Sequence, residues 1–138
     1  MTPAEALWQA DERLAMAARQ GRYPIYHQLR ISASALVSLD SFYLGFRQGE
    51  GQIVYPYNWD GEEYDDPNVN TFAPDGLTAW IIARKKTYAS WTDGGALLHR
   101  GRAFGDTARR SAVAIATPLR DGKEVVGVLS VLSYTANA

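Results

Sequence analysis

Between Phe42 and Tyr57 the apolar residues fall at every second position on both sides of a glycine turn, a pattern that calls for a β-hairpin. Phe42, Leu44 and Phe46 alternate with Tyr43, Gly45 and Arg47. Gln48-Gly49-Glu50-Gly51 breaks the run, and Ile53, Tyr55 and Tyr57 take it up again. A period of two puts alternate side chains on opposite faces of a strand, and two such strands joined across glycines pair antiparallel. One hairpin is at best marginally stable in water, so the rest of the chain must extend the sheet or cover it. A second hairpin does the former. Ser111 to Pro118 reads as a small-residue strand, Asp121-Gly122 as its turn, and Glu124 to Ser133 as the richest strand signal in the chain.

The sequence before Phe42 has helical spacing. Thr2 suits an N-cap, Pro3 the first helical position and Glu5 the third member of a capping box. Ala4, Leu7, Trp8, Leu14, Ala15 and Ala18 then form one apolar stripe, interrupted by Asp11, and Gly21 ends the helix. So narrow a stripe needs a partner, either the rest of the domain or a second copy of the helix. A second helix is expected over Pro24 to Leu39, with Leu29, Ala33, Leu36 and Val37 inward. Asn58 to Pro74 has no period of either kind and is expected to be a long acidic connection, carrying Asp60, Glu62, Glu63, Asp65 and Asp66. Asp75-Gly76 opens a short helix with Leu77, Trp80 and Ile81 on one face, and Thr87 to Ser90 is a short strand. Trp91 to Arg110 is a second irregular stretch, basic in its later half. Antiparallel hairpins with segregated helices make an α+β fold, here a single domain over 1–138 with a flanking helix at 1–21 and a body at 24–133.

Composition excludes several kinds of chemistry. The 138 residues include no Cys and only two His, His27 and His99. Disulfides, thiolate metal sites and cysteine nucleophiles are therefore ruled out, and a multi-histidine site within one chain is not expected. Absence of Cys fits a cytoplasmic protein. Lys+Arg 14 against Asp+Glu 15 leaves a formal charge of −1, with no basic field for nucleic acid or an anionic membrane. No run is long and apolar enough for a membrane helix. The start Met1-Thr2-Pro3-Ala4-Glu5 has none of the features of a secretory signal.

Four segments resemble a GAF domain, the small sensory module of bacterial signalling proteins. They are Phe42-Tyr43-Leu44-Gly45-Phe46, Gly76-Leu77-Thr78-Ala79-Trp80-Ile81, the strand ending in Pro118-Leu119, and Val126-Gly127-Val128-Leu129-Ser130-Val131. They occur in the family's order and span roughly Tyr26 to Ser133. The resemblance implies a central antiparallel sheet of five to six strands. N-terminal helices would lie on one face, with loops and short helices forming a ligand pocket on the other. Two features depart from the family. The chain stops at Ala138 without the family's C-terminal helix, and Lys85-Lys86 stands where a Gly commonly follows the central helix.

What the resemblance implies about function is a non-enzymatic sensor. It would bind a small cytoplasmic ligand and pass the signal to an attached output domain of the kinase, diguanylate cyclase or regulator type. The ligand-binding candidates are Tyr43, Tyr55, Tyr57, Trp59, Tyr64, Tyr88, Trp91, Asp93 and Arg109, the aromatics because a ring with a polar tip suits a pocket wall. The plainer alternative is that these rings close the core beneath long loops. No cofactor is expected; a covalent bilin and the cysteine-dependent methionine sulfoxide chemistry of one GAF branch both need Cys. The Asn-Lys-Phe-Asp-Glu set of the cyclic-nucleotide branch has no match here. Asp60 to Asp66 lacks the alternation of a calcium loop and reads as a solvated segment. Arg100, Arg102, Arg109 and Arg110 suit an anionic group but match no phosphate-loop pattern. His99 has no orienting partner visible in the sequence, and His27 reads as a helix surface residue. A homodimer through the N-terminal helix is the expected assembly. A dimerisation module with a filled pocket is the alternative function.

Overall fold

The computed structural model describes residues 2–63, 66–72, 74–97 and 113–134. They form two units, Met1–Leu39 and Asp40–Ala138. The first holds α1 (Pro3–Ala18) and α2 (Arg22–Ser34), which pack on each other. Thr2 caps α1 as its sequence requires, its hydroxyl accepting from the Glu5 amide at 3.1 Å, with Pro3 in the first turn. The buried face of α1 is not the expected stripe. Ala6 and Ala17 are buried, whereas Leu7 and Trp8 are 60% and 66% exposed. Ala6 and Ala17 lie roughly a third of a turn from the Leu7–Leu14 stripe, so α1 has a second, small-residue face that hydrophobicity alone does not reveal. α2 ends five residues earlier than expected, at Ser34, and Leu36 is exposed.

The second unit is built on one six-stranded sheet, with every neighbouring pair antiparallel. Its strands are β1 (Ser41–Gly49), β2 (Gln52–Asp60), β3 (Asp66–Thr71), β4 (Tyr88–Ala89), β5 (Val113–Asp121) and β6 (Glu124–Ser133), in the order β3-β2-β1-β6-β5-β4. Helix α3 (Leu77–Arg84) lies between β3 and β4 in the chain and packs on β5 and β6. Both predicted hairpins are present. In the second, Asp121 pairs with Glu124, so the loop is Gly122-Lys123, with Gly122 in the left-handed region at φ 64°. The acidic connection is corrected: β2 runs on to Asp60, and a strand, β3, returns along it from Asp66. Its sequence, Asp-Pro-Asn-Val-Asn-Thr, is rich in residues that strands disfavour. β3 is an edge strand, and an edge position tolerates them.

The centre of the sheet is the β1–β6 pair, in which Phe42 lies opposite Val131 and Phe46 opposite Gly127. A Cβ on Gly127 would lie against the carbonyl oxygen of Gly45, and one on Gly45 would come within 2.6 Å of the Ile53 side chain. Both positions need glycine because the backbones and the Ile53 and Tyr55 side chains approach too closely for anything larger.

A bulge divides β2. Leu44 faces Tyr57, yet Phe46 faces Val54, so one extra residue of β2 is accommodated between them. Pro56 sits in this stretch and has no N–H to give the ladder. The buried Asn58 carboxamide donates to the Tyr55 carbonyl at 3.2 Å and supplies a local bond there. The consequence is a change of face: Ile53 and Tyr55 point one way and Tyr57 the other.

Helix α3 ends on Lys85, whose φ of 55° is left-handed, a conformation that favours Gly. A side chain pays roughly 1–2 kcal/mol there, partly offset by the greater freedom glycine loses on folding. Lys85→Gly is therefore expected to stabilise the protein by about 0.5–1 kcal/mol, read as a rise of a few degrees in the thermal midpoint.

Candidate functional site

The register assigns the central residues to two faces. Residues paired across strands share a face, so Asn58, Tyr43, Ser130, Ala116 and Tyr88 form one row across β2, β1, β6, β5 and β4. Phe42, Trp59 and Val131 belong to the opposite face. Two core clusters lie on the first face, one at each side of this row. Tyr43, Ile53, Tyr55, Ala114 and Leu132 form the first, with Phe72 against them. Ile81, Tyr88, Leu97, Ala116 and Val128 form the second, with Leu77 and Trp80. The expected inward face of α3, Leu77, Trp80 and Ile81, is the one that packs. Between the aromatic flanks the floor is made of small side chains, Ala114, Ala116 and Ser130.

Ser130 is fully buried, and its hydroxyl has no hydrogen-bond partner. A buried hydroxyl left unpaired costs roughly 1–3 kcal/mol. The row carries no charged side chain. Its border is held by Asp93, whose carboxylate accepts from the Tyr88 hydroxyl at 2.8 Å, the Gly95 amide at 2.9 Å and the Leu97 amide at 3.0 Å. Desolvation pushes the Asp93 carboxyl up, but the bonds from Tyr88, Leu97, Gly95 and Ala96 outweigh it and hold the group below its ordinary value. Ser90, in the single 3₁₀ turn Ser90–Thr92, accepts from the Ala114 amide at 3.0 Å and ties this segment to β5.

The sequence candidates divide accordingly. Tyr43, Tyr55 and Tyr88 are buried on the first face, and the Tyr43 and Tyr55 rings meet edge to face at 5.4 Å. Tyr57 and Trp59 lie on the other face, placed there by the bulge, and Tyr57 packs against Phe42 at 5.9 Å. Trp91 is 65% exposed on the 3₁₀ turn, so its ring does not line a buried wall. Asp93 is bonded to Tyr88 and to amides of its own segment. Tyr64 and Arg109 lie outside the described residues, as do His99, Arg100, Arg102 and Arg110. Ser130 was missed. Its signal, small residues at alternate positions of two neighbouring strands, becomes readable only once the β5–β6 register is known.

A shallow cleft of about 430 Å³ lies at the far end of the sheet, lined by Arg47, Gly49, Glu50, Glu124, Val125 and Val126. It opens where the β1–β6 ladder stops at Phe46 and Gly127 while both strands continue. Arg47 donates to the Val125 carbonyl at 3.2 Å. Glu50 and Glu124 on its rim are exposed, and Arg47 Nε is buried without a hydrogen-bond partner. Among the described residues, no group of three or more His, Asp or Glu is placed to hold a metal ion, and no helix is long and apolar enough to cross a membrane.

Solved structures with the same architecture include GAF domains. That of a phosphoenolpyruvate-protein phosphotransferase from Coxiella burnetii matches with a TM-score of 0.70 and 12% identity, over 98% of this chain and 82% of that one. The corresponding Acinetobacter domain gives 0.69 and 11%, over 98% and 80%. The A. aeolicus nlh2 GAF domain in an inactive state gives 0.58 and 16%, over 96% and 81%. No family model matches the sequence, and no curated protein matches it. At such identities the likeness establishes the fold, and it confirms the expected α+β architecture.

Because the Asp93 carboxyl is held below its ordinary value, its bonds stabilise the folded state above the unfolded pKa of 3.8 and are lost as pH falls through the folded value. Asp93→Ala is expected to melt below the parent at neutral pH. The difference should shrink as the pH of the melts is lowered from about 5 to about 3.

Proposed function

We propose that this chain, which has the GAF fold, is a non-enzymatic regulatory module that binds a small cytoplasmic ligand on the sheet face carrying Tyr43, Ser130 and Tyr88. The ligand is uncharged, with a flat or apolar body and one hydrogen-bonding edge. The observation that carries this reading is the buried Ser130 hydroxyl, unpaired on a floor of small residues between two aromatic flanks. A ligand that pairs with it recovers what the empty protein forgoes, and Tyr43, Tyr55 and Tyr88 provide amphipathic walls. A charged ligand finds no counter-charge in the row. Binding acts on an attached output domain of the kinase, diguanylate cyclase or regulator type only if affinity differs between two arrangements of the module.

A panel of nucleobases, indoles, aromatic acids and nucleotides in thermal melts tests this. The uncharged planar compounds are expected to raise the midpoint and the nucleotides to leave it unmoved. Ser130→Ala should stabilise the empty protein by about 1 kcal/mol, roughly 3 °C, by removing the unpaired group. It should also reduce the ligand-induced shift. No shift with any compound, together with no gain in the variant, would sink the proposal.

The exposed stripe of α1 favours a second reading, in which the module also dimerises. Ala4, Leu7, Asp11, Leu14 and Ala18 follow the three-four spacing of a helical seam, and Leu7 and neighbouring Trp8 are largely exposed. Leu7→Glu is expected to convert a dimer to a monomer in sedimentation at concentrations where the parent is dimeric. A parent that stays monomeric at all concentrations excludes the seam.

A further inference from the structure

The two hairpins of the sheet part at one end, and both strands that part are bulged there. β1 and β6 are paired as far as Phe46 and Gly127. Just beyond, Arg47 and Gly49 of β1 face the adjacent residues Ile53 and Gln52 of β2, so β1 carries one extra residue, Gln48. In the same way Leu119 and Arg120 of β5 face Gly127 and Val125, so β6 carries an extra Val126. A bulge bends its strand and disrupts the ladder. Two bulges on neighbouring strands open the cleft of about 430 Å³ between the hairpins. That volume lies within the range of small-molecule sites.

Each hairpin brings one exposed glutamate to the rim, Glu50 from the β1–β2 turn and Glu124 from the start of β6. Arg47 is the cation of the lining; Lys123, beside Glu124 in the chain, does not line the cleft. The guanidinium is only partly engaged. Nη1 donates to the Val125 carbonyl at 3.2 Å, while Nε is buried without a hydrogen-bond partner. Nε–H and one Nη2–H form the fork by which an arginine grips a carboxylate through two parallel bonds. Charge then selects the ligand. A simple carboxylate would be drawn to Arg47 and repelled by Glu50 and Glu124. Two glutamates against one arginine leave one negative charge in excess, so the matching ligand carries one carboxylate and two cationic groups.

We propose that this cleft is a binding site for a basic α-amino acid of the lysine or arginine type. The ligand carboxylate takes the Arg47 guanidinium, and its α-ammonium and side-chain cation lie against Glu50 and Glu124. Val125 and Val126 give its methylene chain an apolar wall. Nε is enclosed as the cleft stands, so the second bond of the fork forms with a shift of the Arg47 side chain. Arg47 lies four residues beyond Tyr43 on β1, about 13 Å along the strand. The site shares no residue with the proposed one around Ser130 and does not rest on it.

Titration of the isotope-labelled intact chain with L-lysine and L-arginine, followed by amide chemical shifts, tests the proposal. Shifts are expected at Arg47, Glu50, Glu124 and Val126, with the Ser130 amide unmoved, and should saturate by about 10 mM. Norleucine lacks the side-chain cation and cadaverine lacks the carboxylate. Norleucine should bind about threefold more weakly and cadaverine about tenfold. Glu50→Gln and Glu124→Gln change exposed side chains, and each should weaken lysine binding about threefold. Arg47→Met keeps an apolar stem without the guanidinium and should weaken it about tenfold or more. Ser130→Ala should bind lysine as the parent does, which separates this site from the other. No saturable shift overturns the proposal, and so does an arginine that only ties β1 to β6, in which case Arg47→Met lowers the melting point and no compound binds. Cadaverine binding as tightly as lysine, or an affinity that both glutamine variants leave unchanged, overturns it too. Should Arg47→Met fail to fold, cadaverine and the two glutamine variants decide.

Discussion

The β1–β6 pairing is the contact on which the rest of the second unit depends. It joins residues about 90 positions apart, Phe42 with Val131, and makes one sheet of two hairpins that are each local in sequence. Neither hairpin buries enough by itself to stand alone. Once joined, β1 is flanked on both edges and buried from Ser41 to Gly45, and Val128 and Ser130 of β6 are fully enclosed. Gly45 and Gly127 make this approach possible, since a side chain at either meets a neighbour at closer than contact distance. The four segments that resemble the GAF family include both these glycines, so part of that resemblance has a steric cause.

The β2 bulge then decides what the sheet displays. Without it, Tyr55 and Tyr57 would share a face, as a strict alternation requires. With it, Tyr55 joins Tyr43 over the candidate site, and Tyr57 turns to Phe42 on the other side. The same strand thus supplies aromatic surface to both layers. Its end, at Asp60, brings the acidic segment alongside the exit of β6. The opposed placing of Tyr55 and Tyr57 is a consequence of one strand's register against β1.

Most local structure was legible in the sequence because its causes are local. Thr2, Pro3 and Glu5 define the start of α1 within one turn, and Gly122 accommodates the second hairpin turn. Leu77, Trp80 and Ile81 mark the buried side of α3 by spacing alone. Where the reading failed, a distant partner had overruled the local signal. The β3 segment has poor strand propensity and is a strand because β2 offers it a ladder. The inward face of α1 is set by Ala6 and Ala17, whose small size permits close packing but yields little hydrophobic contrast. Ser130 could not be singled out without the β5–β6 register, since a serine in an apolar strand looks the same whether or not its hydroxyl has a partner.

The sequence by itself determined the two hairpins, the helices that precede them, the α+β class and the exclusion of cysteine chemistry. Periodicity, turn residues and composition act over a few residues and need no knowledge of the remainder. Tertiary structure alone decided which strand edges meet, which aromatics face the floor around Ser130, and that Arg47, Glu50 and Glu124 border one cleft. These depend on register between strands far apart in the chain, and a shift of one residue reverses every face.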